Sequence, residues 1–145
     1  MTCKLTMTLI SEHQEGNCGE DWKYDLEVKV FHEGLKGEGQ LSVPKHTLES
    51  GPVREPFGSP EPLAVFEGEC LTELLVRMQL TATEVDLFVN DVGKASKDIR
   101  IACPGPRAEK VTKEVDIAAG VRESPAILNK SSVFTVRVRF TLTCD

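Results

Sequence analysis

Residues 133–144 read VFTVRVRFTLTC, and this stretch decides the fold class. Every second side chain from Phe134 to Cys144 is apolar. Five of the six side chains on the alternate positions are polar or charged, and only Val133 is not. A period of two places successive side chains on opposite faces of a β-strand, so this pattern predicts a strand with one face in a core and the other in water.

The same alternation recurs along the chain. It is clearest in 3–9, 22–31 and 74–86, and shorter candidates lie at 40–43, 62–66, 97–103 and 111–118. Glycine, proline and asparagine separate these segments, as is typical of turns. We therefore predict a single antiparallel β-sandwich of about eight strands, with a closed β-barrel as the alternative. The length of 145 residues fits one domain spanning 1–145.

The composition narrows the classes of partner. The formal net charge is −6, whereas phosphate binding needs clustered Lys and Arg, so nucleic acid is not the expected ligand. The N-terminal residues MTCKLTMTLISEH lack the basic and apolar regions of a signal peptide. No apolar run approaches the ~20 residues of a membrane span. These features predict a soluble, acidic, cytoplasmic protein that does not cross a membrane.

The chain has five cysteines and no CxxC pair, which argues against a zinc ribbon or a thioredoxin-type motif. In a cytoplasmic protein we expect buried, reduced thiols. The alternative is one or two disulfides. Cys3 and Cys144 lie near the two chain ends in strand patterns, and they could be neighbours in one sheet.

Two acidic segments are candidate ligand sites. The first lies between the opening two strands and contains Glu12, Glu15, Glu20, Asp21 and Asp25. The second reads EVDLFVNDVGK over 84–94. Calcium takes ~6–8 oxygen ligands, which loops at one end of a sandwich can supply. The predicted calcium ligands are Asp21, Asp25, Glu84, Asp86 and Asp91. The alternative is that these acids form a solvated loop edge.

The run VRMQLTATEVDLFVNDVGKASKDIRI over 76–101 resembles the calcium- and phospholipid-binding sandwich domains of the protein kinase C and synaptotagmin type. The opening KLTMTLISEHQEGNCGEDWKYDLEVKV is similar to the first two strands of that family. The resemblance implies that Glu84 and Asp86 occupy the paired aspartate positions and that Asp91 follows in a later turn. This chain departs from the family pattern at Glu84, which stands in place of an aspartate.

Leu87, Phe88 and Val89 are unusually apolar for a loop, and Asn90 follows them. One interpretation continues the preceding strand, so that these side chains face the core. The other places them at the tip of a loop, where the resemblance implies contact with a membrane. An exposed apolar tip would mark a contact site.

The sequence shows three further features that bear on function. Residues 50–62 read SGPVREPFGSPEP, which predicts a long, exposed and mobile connection. Arg137 and Arg139, with Arg77 beside them, form a basic strip that either pairs with acids across strands or binds an anion. The three histidines show no metal-site spacing, and no nucleophile motif is present.

These observations favour a non-enzymatic binding module that engages a protein or lipid surface through acidic loops at one end, with calcium as a candidate cofactor. One alternative is a small barrel cyclase, isomerase or ligand carrier with an apolar cavity. Another is an inhibitor or immunity-type interaction protein, for which an acidic surface suits electrostatic steering.

Overall fold

In the computed structural model, residues 2–87, 89–105, 110–123 and 129–145 are described. They form an all-β sandwich of two antiparallel four-stranded sheets. The strands are β1 (Thr2–Gly16), β2 (Asp21–Phe31), β3 (Leu35–Thr47), β4 (Leu63–Glu69), β5 (Glu73–Glu84), β6 (Asp91–Ala102), β7 (Val111–Arg122) and β8 (Ser131–Cys144). The predicted sandwich is confirmed.

One sheet has the order β4-β1-β8-β7, and the other has the order β3-β2-β5-β6. Each sheet of the described chain ends in two edge strands, so the alternative of a closed barrel is wrong. The core consists of the apolar side chains on the facing sides of the sheets, as the alternation predicts. The largest aromatic side chains buried there are Trp22, Tyr24, Phe134 and Phe140.

Successive strands run in opposite directions, so the connections between them alternate between two opposite rims of the sandwich. One rim, called here the acidic rim, is where β1, β3, β5 and β7 end and β2, β4, β6 and β8 begin. The other, called the disulfide rim, is where β1, β3, β5 and β7 begin and β2, β4, β6 and β8 end. The two acidic segments of the sequence therefore meet at one rim, apart from the residues that lie within strands.

The expectation of reduced cysteines is wrong for four of the five. Cys3 is disulfide-bonded to Cys144, and Cys70 to Cys103, both at the disulfide rim. Cys3 and Cys144 face each other across β1 and β8, with their Cα atoms 4.1 Å apart, so the predicted neighbourhood is confirmed. Cys18 is a free, partly buried thiol at the acidic rim.

The arginine strip pairs across strands, as one interpretation predicted. Arg137 donates to Asp116, and Arg139 donates to Glu114, both from β8 to β7. Arg77 pairs with Asp98 in the other sheet, so the expectation that it lies beside the strip is wrong. Exposed pairs of this kind contribute little to stability.

Glycines bring the edge strands of the two sheets into backbone contact. A Cβ atom at Gly93 of β6 would lie 2.4 Å from the carbonyl oxygen of Gly120 in β7. At the other edge, a Cβ atom at Gly37 of β3 would lie 2.1 Å from the carbonyl oxygen of Val65 in β4. Gly37 and Gly39 both lie within β3 and not in the turn before it.

We expect Gly93→Ala to lower the free energy of unfolding by roughly 1–3 kcal/mol, the usual range for overpacking, because the methyl group would meet backbone. The matched control is Gly120→Ala in the facing strand, where an added Cβ atom would meet nothing within 4 Å. Urea denaturation of both variants measures the difference. Equal stability of the two variants would contradict the close approach.

Candidate functional site

Strand pairing brings three of the predicted calcium ligands to one point of the acidic rim. β2 begins at Asp21, β5 ends at Glu84 and β6 begins at Asp91. Trp22 pairs with Glu84, and Glu84 pairs with Asp91, so the three carboxylates lie on adjacent strands. The Val85 N–H donates to the Asp21 carbonyl oxygen at 2.7 Å, which extends this contact beyond the last residue of β5.

Glu84 is the central residue of this group. Its side chain is buried, with a relative exposure of 5%. Its Oε2 atom is buried and has no hydrogen-bond partner in the described part of the chain. A Cβ atom at Gly19 would lie 2.2 Å from Oε1 of Glu84, so only glycine fits against this carboxylate. Oε2 is therefore desolvated without a donor from the described residues, such as normally compensates for burial.

The surroundings of Glu84 are negative. The pKa of Glu84 is raised to about 7, first by burial and then by the charges of Asp86, Asp91 and Asp21, against a smaller lowering by Lys130. Like charges and desolvation both disfavour the ionised carboxylate. A positive group placed beside Oε2 would relieve both effects.

The free thiol of Cys18 lies in the same negative field. Burial raises its pKa first, and the charges of Asp91, Glu84 and Glu123 add to this, while a hydrogen bond with Ser132 opposes it. Since the thiolate is the reactive form of cysteine, this environment keeps Cys18 a poor nucleophile.

The other predicted ligands are placed differently. Asp86 follows β5 and lies near enough to Glu84 to act on it. Asp25 lies four residues into β2, where its Oδ1 accepts a hydrogen bond from Ser42, so it is not part of the group. Within the described ranges, no three His, Cys, Asp or Glu side chains are arranged to hold a metal ion. The four rim carboxylates share a neighbourhood without forming a ready-made coordination sphere.

The apolar residues of the 85–90 connection are exposed where they are described. Leu87 is 91% exposed and Val89 is 45% exposed, whereas Phe88 lies outside the described residues. The interpretation in which these residues continue the strand and face the core is wrong for Leu87 and Val89, because β5 ends at Glu84. The Asn90 side chain shapes the turn by accepting a hydrogen bond from the Asp86 N–H at 3.1 Å.

The raised pKa of Glu84 predicts that the stability of the protein depends on pH. A carboxyl whose pKa is raised in the folded state binds its proton more tightly there than in the unfolded chain, so stability falls as the pH rises from about 4.5 to about 7. We expect Glu84→Gln to remove this fall and to stabilise the protein at pH 8 by roughly 2–3 kcal/mol. Melting curves between pH 4.5 and pH 8 measure it.

The control for this prediction is Glu20→Gln, which removes an exposed charge from the same rim. It should retain the slope of the wild-type protein. A Glu84→Gln variant with the wild-type slope would show that other groups cause the pH dependence.

A second polar group was not predicted from the sequence. Glu12, expected in an exposed acidic loop, lies inside β1 and is 1% exposed. A β-bulge between Leu9 and Ser11 reverses the alternation of β1, so that Glu12 and Gln14 turn toward the core. The only sequence signal is the adjacent apolar pair of Leu9 and Ile10, which breaks the period of two.

The Glu12 carboxylate links both sheets and the β3–β4 connection. The Tyr24 hydroxyl of β2 donates to Oε1 at 2.8 Å, and the Phe57 N–H donates to the same atom at 2.9 Å. His46 of β3 contacts Oε2 through Nε2. Burial and the Glu12 charge raise the pKa of Tyr24 above its usual range, so its hydroxyl remains a donor.

His46 is held on both of its nitrogens. Nδ1 lies 2.8 Å from the carbonyl oxygen of Pro44, which can only accept, so Nδ1 carries a proton. The ring of Phe57 stacks on the imidazole with centroids 4.5 Å apart and an interplanar angle of 6°. Because neither nitrogen is free, the Glu12–His46 pair in this conformation positions neighbouring groups and offers no general base.

Comparisons with known proteins do not assign the chain to a family. The chain matches no protein-family model, and a search of curated proteins finds none similar to it. The described residues also contain no helix long and apolar enough to cross a bilayer.

Proposed function

We propose that the chain is a non-enzymatic binding module whose acidic rim receives a cationic group from a protein partner. The observation that supports this proposal is the buried Oε2 atom of Glu84, which has no hydrogen-bond partner among the described residues. A buried carboxylate oxygen without a hydrogen-bond donor lowers the stability of the folded protein. A Lys or Arg side chain of a partner would supply both the donor and the positive charge.

The neighbouring residues fit such a partner. Leu87 and Val89 offer apolar contact area beside the carboxylates, which suits a cationic residue flanked by apolar ones. The net charge of −6 would steer a basic partner toward the molecule. An inhibitor or immunity-type protein would use the same surface in the same way.

A second candidate is calcium-dependent attachment to a lipid surface. The exposure of Leu87 and Val89 next to Asp86 favours it, because an apolar tip beside a bound cation is what the resemblance to calcium- and phospholipid-binding domains implies. In this case calcium, and not a partner side chain, would neutralise Glu84.

Titration with N-acetyl-arginine amide, followed by the backbone amide resonances, tests the first candidate. We expect saturable shifts at residues 84–86 and 91 that weaken with added salt, since exposed charges are screened. Glu84→Gln should abolish the shifts, whereas the control Asp25→Asn should retain them. Shifts that are unsaturable, or equal in both variants, would contradict the proposal.

Melting in calcium and in chelator tests the second candidate. An ion bound only by the folded state must raise the melting temperature. A rise in the wild-type protein that is absent in Glu84→Gln would favour calcium over a partner side chain. No rise would contradict the calcium-dependent candidate.

A further inference from the structure

A second buried acid lies at the acidic rim, on the other sheet. Glu123 follows β7, which ends at Arg122. Its Oε2 atom is buried and has no hydrogen-bond partner among the described residues. Its backbone is held in place, because the Glu123 N–H donates to the Lys130 carbonyl oxygen at 2.9 Å. Glu123 Oε2 therefore lacks a donor from the described chain in the same way as Glu84 Oε2 does.

The close contact between the edge strands β6 and β7 brings the two acids to the same part of the rim. Gly93 of β6 and Gly120 of β7 are in backbone contact. Toward the rim from this contact, β6 begins at Asp91, and β7 ends just before Glu123. Glu84 pairs with Asp91. Glu84 of one sheet and Glu123 of the other therefore lie at the same end of this contact.

Two consecutive residues of the β1–β2 connection link these acids. The Cys18 Sγ donates to the Val121 carbonyl oxygen of β7 at 3.5 Å. Gly19 lies against Oε1 of Glu84, where a Cβ atom would be 2.2 Å away. Burial is the largest cause that raises the pKa of the Cys18 thiol, and the charges of Glu84 and Glu123 raise it further, so both carboxylates act on the same side chain.

We infer that Glu84 and Glu123 form one two-sided anionic site, and that the cationic group this site takes is the guanidinium of an arginine on a protein partner. The inference rests on the proposed function and deepens it, because it adds a second carboxylate and selects arginine over lysine. Each acid has a buried oxygen without a donor among the described residues, so the ligand has to donate toward two separate elements of the fold.

Arginine fits these two acceptors better than lysine for two reasons. The guanidinium carries five N–H donors in a planar fork, so it can donate to two carboxylates at once, whereas the three donors of an ammonium surround a single nitrogen. The guanidinium is also more weakly hydrated, so its transfer to buried acceptors costs less free energy. Leu87 and Val89 are exposed at the same rim and are available to contact the apolar stem of the arginine.

The test compares N-acetyl-arginine amide with N-acetyl-lysine amide as ligands, followed by the backbone amide resonances. In the wild-type protein, we expect the arginine derivative to shift resonances on both sheets, at 84–86 and 91 and also at 121–123. The lysine derivative should bind about tenfold more weakly, which is the loss expected for one hydrogen bond to a charged group.

Glu123→Gln keeps the shape of the side chain and removes its charge. It should weaken the binding of the arginine derivative by about tenfold and leave that of the lysine derivative nearly unchanged, because lysine is expected to reach Glu84 alone. The matched control is Glu20→Gln, which removes an exposed charge from the same rim and should have little effect on either ligand. If Glu123→Gln disturbs the amide spectrum of the free protein, Glu123→Asp serves as the second variant. It keeps the charge but shortens the side chain, and the same loss is expected for arginine.

Two results would overturn the inference and leave the proposed function in place. One is binding of the arginine derivative that Glu84→Gln abolishes but that Glu123→Gln and Glu20→Gln affect equally. The other is equal affinity of the wild-type protein for the two derivatives. A wild-type protein that shows no saturable shifts with the arginine derivative would instead overturn the proposed function, and the inference with it.

Discussion

Replacing Cys3 and Cys144 together by alanine is expected to lower the free energy of unfolding by about 5 kcal/mol. The bond joins residues 141 positions apart, so it restrains nearly the whole unfolded chain, and the chain-entropy relation gives this magnitude for a loop of that length. A domain of this size has a total stability of ~5–15 kcal/mol, so the variant should be close to unfolded at 37 °C. Urea denaturation monitored by Trp22 fluorescence measures the loss.

The matched control is the double variant Cys70→Ala and Cys103→Ala. Its loop is shorter, with a separation of 33 residues, and the same relation gives about 4 kcal/mol. The wild-type protein in reductant separates the effect of the bond from that of the smaller side chains. A larger loss for Cys70 and Cys103 than for Cys3 and Cys144 would contradict the entropic explanation.

We expect Glu12→Ala to cost about 3–5 kcal/mol, because it removes a buried acceptor that several groups share, and each buried donor left unsatisfied costs about 1–3 kcal/mol. The substitution would leave the Tyr24 hydroxyl and the Phe57 N–H without their acceptor, and His46 Nε2 without its partner. The control is Glu15→Ala in the same strand, whose side chain is exposed and whose loss should have little effect. Chemical denaturation at pH 7 compares the two.

A double variant makes this prediction sharper. Replacing Glu12 and His46 together by leucine removes both polar side chains, and apolar replacement of a whole buried pair is often neutral or stabilising. The double variant should therefore be more stable than Glu12→Ala. If Glu12→Ala differs from Glu15→Ala by less than about 1 kcal/mol, a value typical of a single neutral hydrogen bond, the pair is not the interaction described here.

The sequence predicted the strands well because the period of two is a local property. In β8, the residues from Phe134 to Leu142 that alternate as apolar are all fully buried. The same local pattern fixes neither which strands pair nor in which register. The pairing of Trp22 with Glu84, and of Glu84 with Asp91, is a contact between distant segments, so spacing alone could suggest the rim group but not its members.

The predictions that are wrong have the same cause, because a local pattern does not determine contacts between distant segments. The sequence predicts that Glu12 and Asp25 lie in one acidic segment, because both are acids near the first turn. The bulge in β1 turns Glu12 into the core, and Asp25 binds Ser42 on β3 instead of approaching Glu84. Leu87 and Val89 continue an apolar pattern in the sequence, but the strand that would bury them has already ended at Glu84.

Both ends of the chain leave the sandwich on the side away from the acidic rim. Thr2 and Asp145 are bridged by backbone hydrogen bonding, and the Cys3–Cys144 bond fixes this arrangement covalently. A tag, linker or neighbouring module fused at either end would therefore project from that side. Protein immobilised through either terminus would present Glu84 and Leu87 to the solution, so surface-based assays with both orientations should report the same affinities.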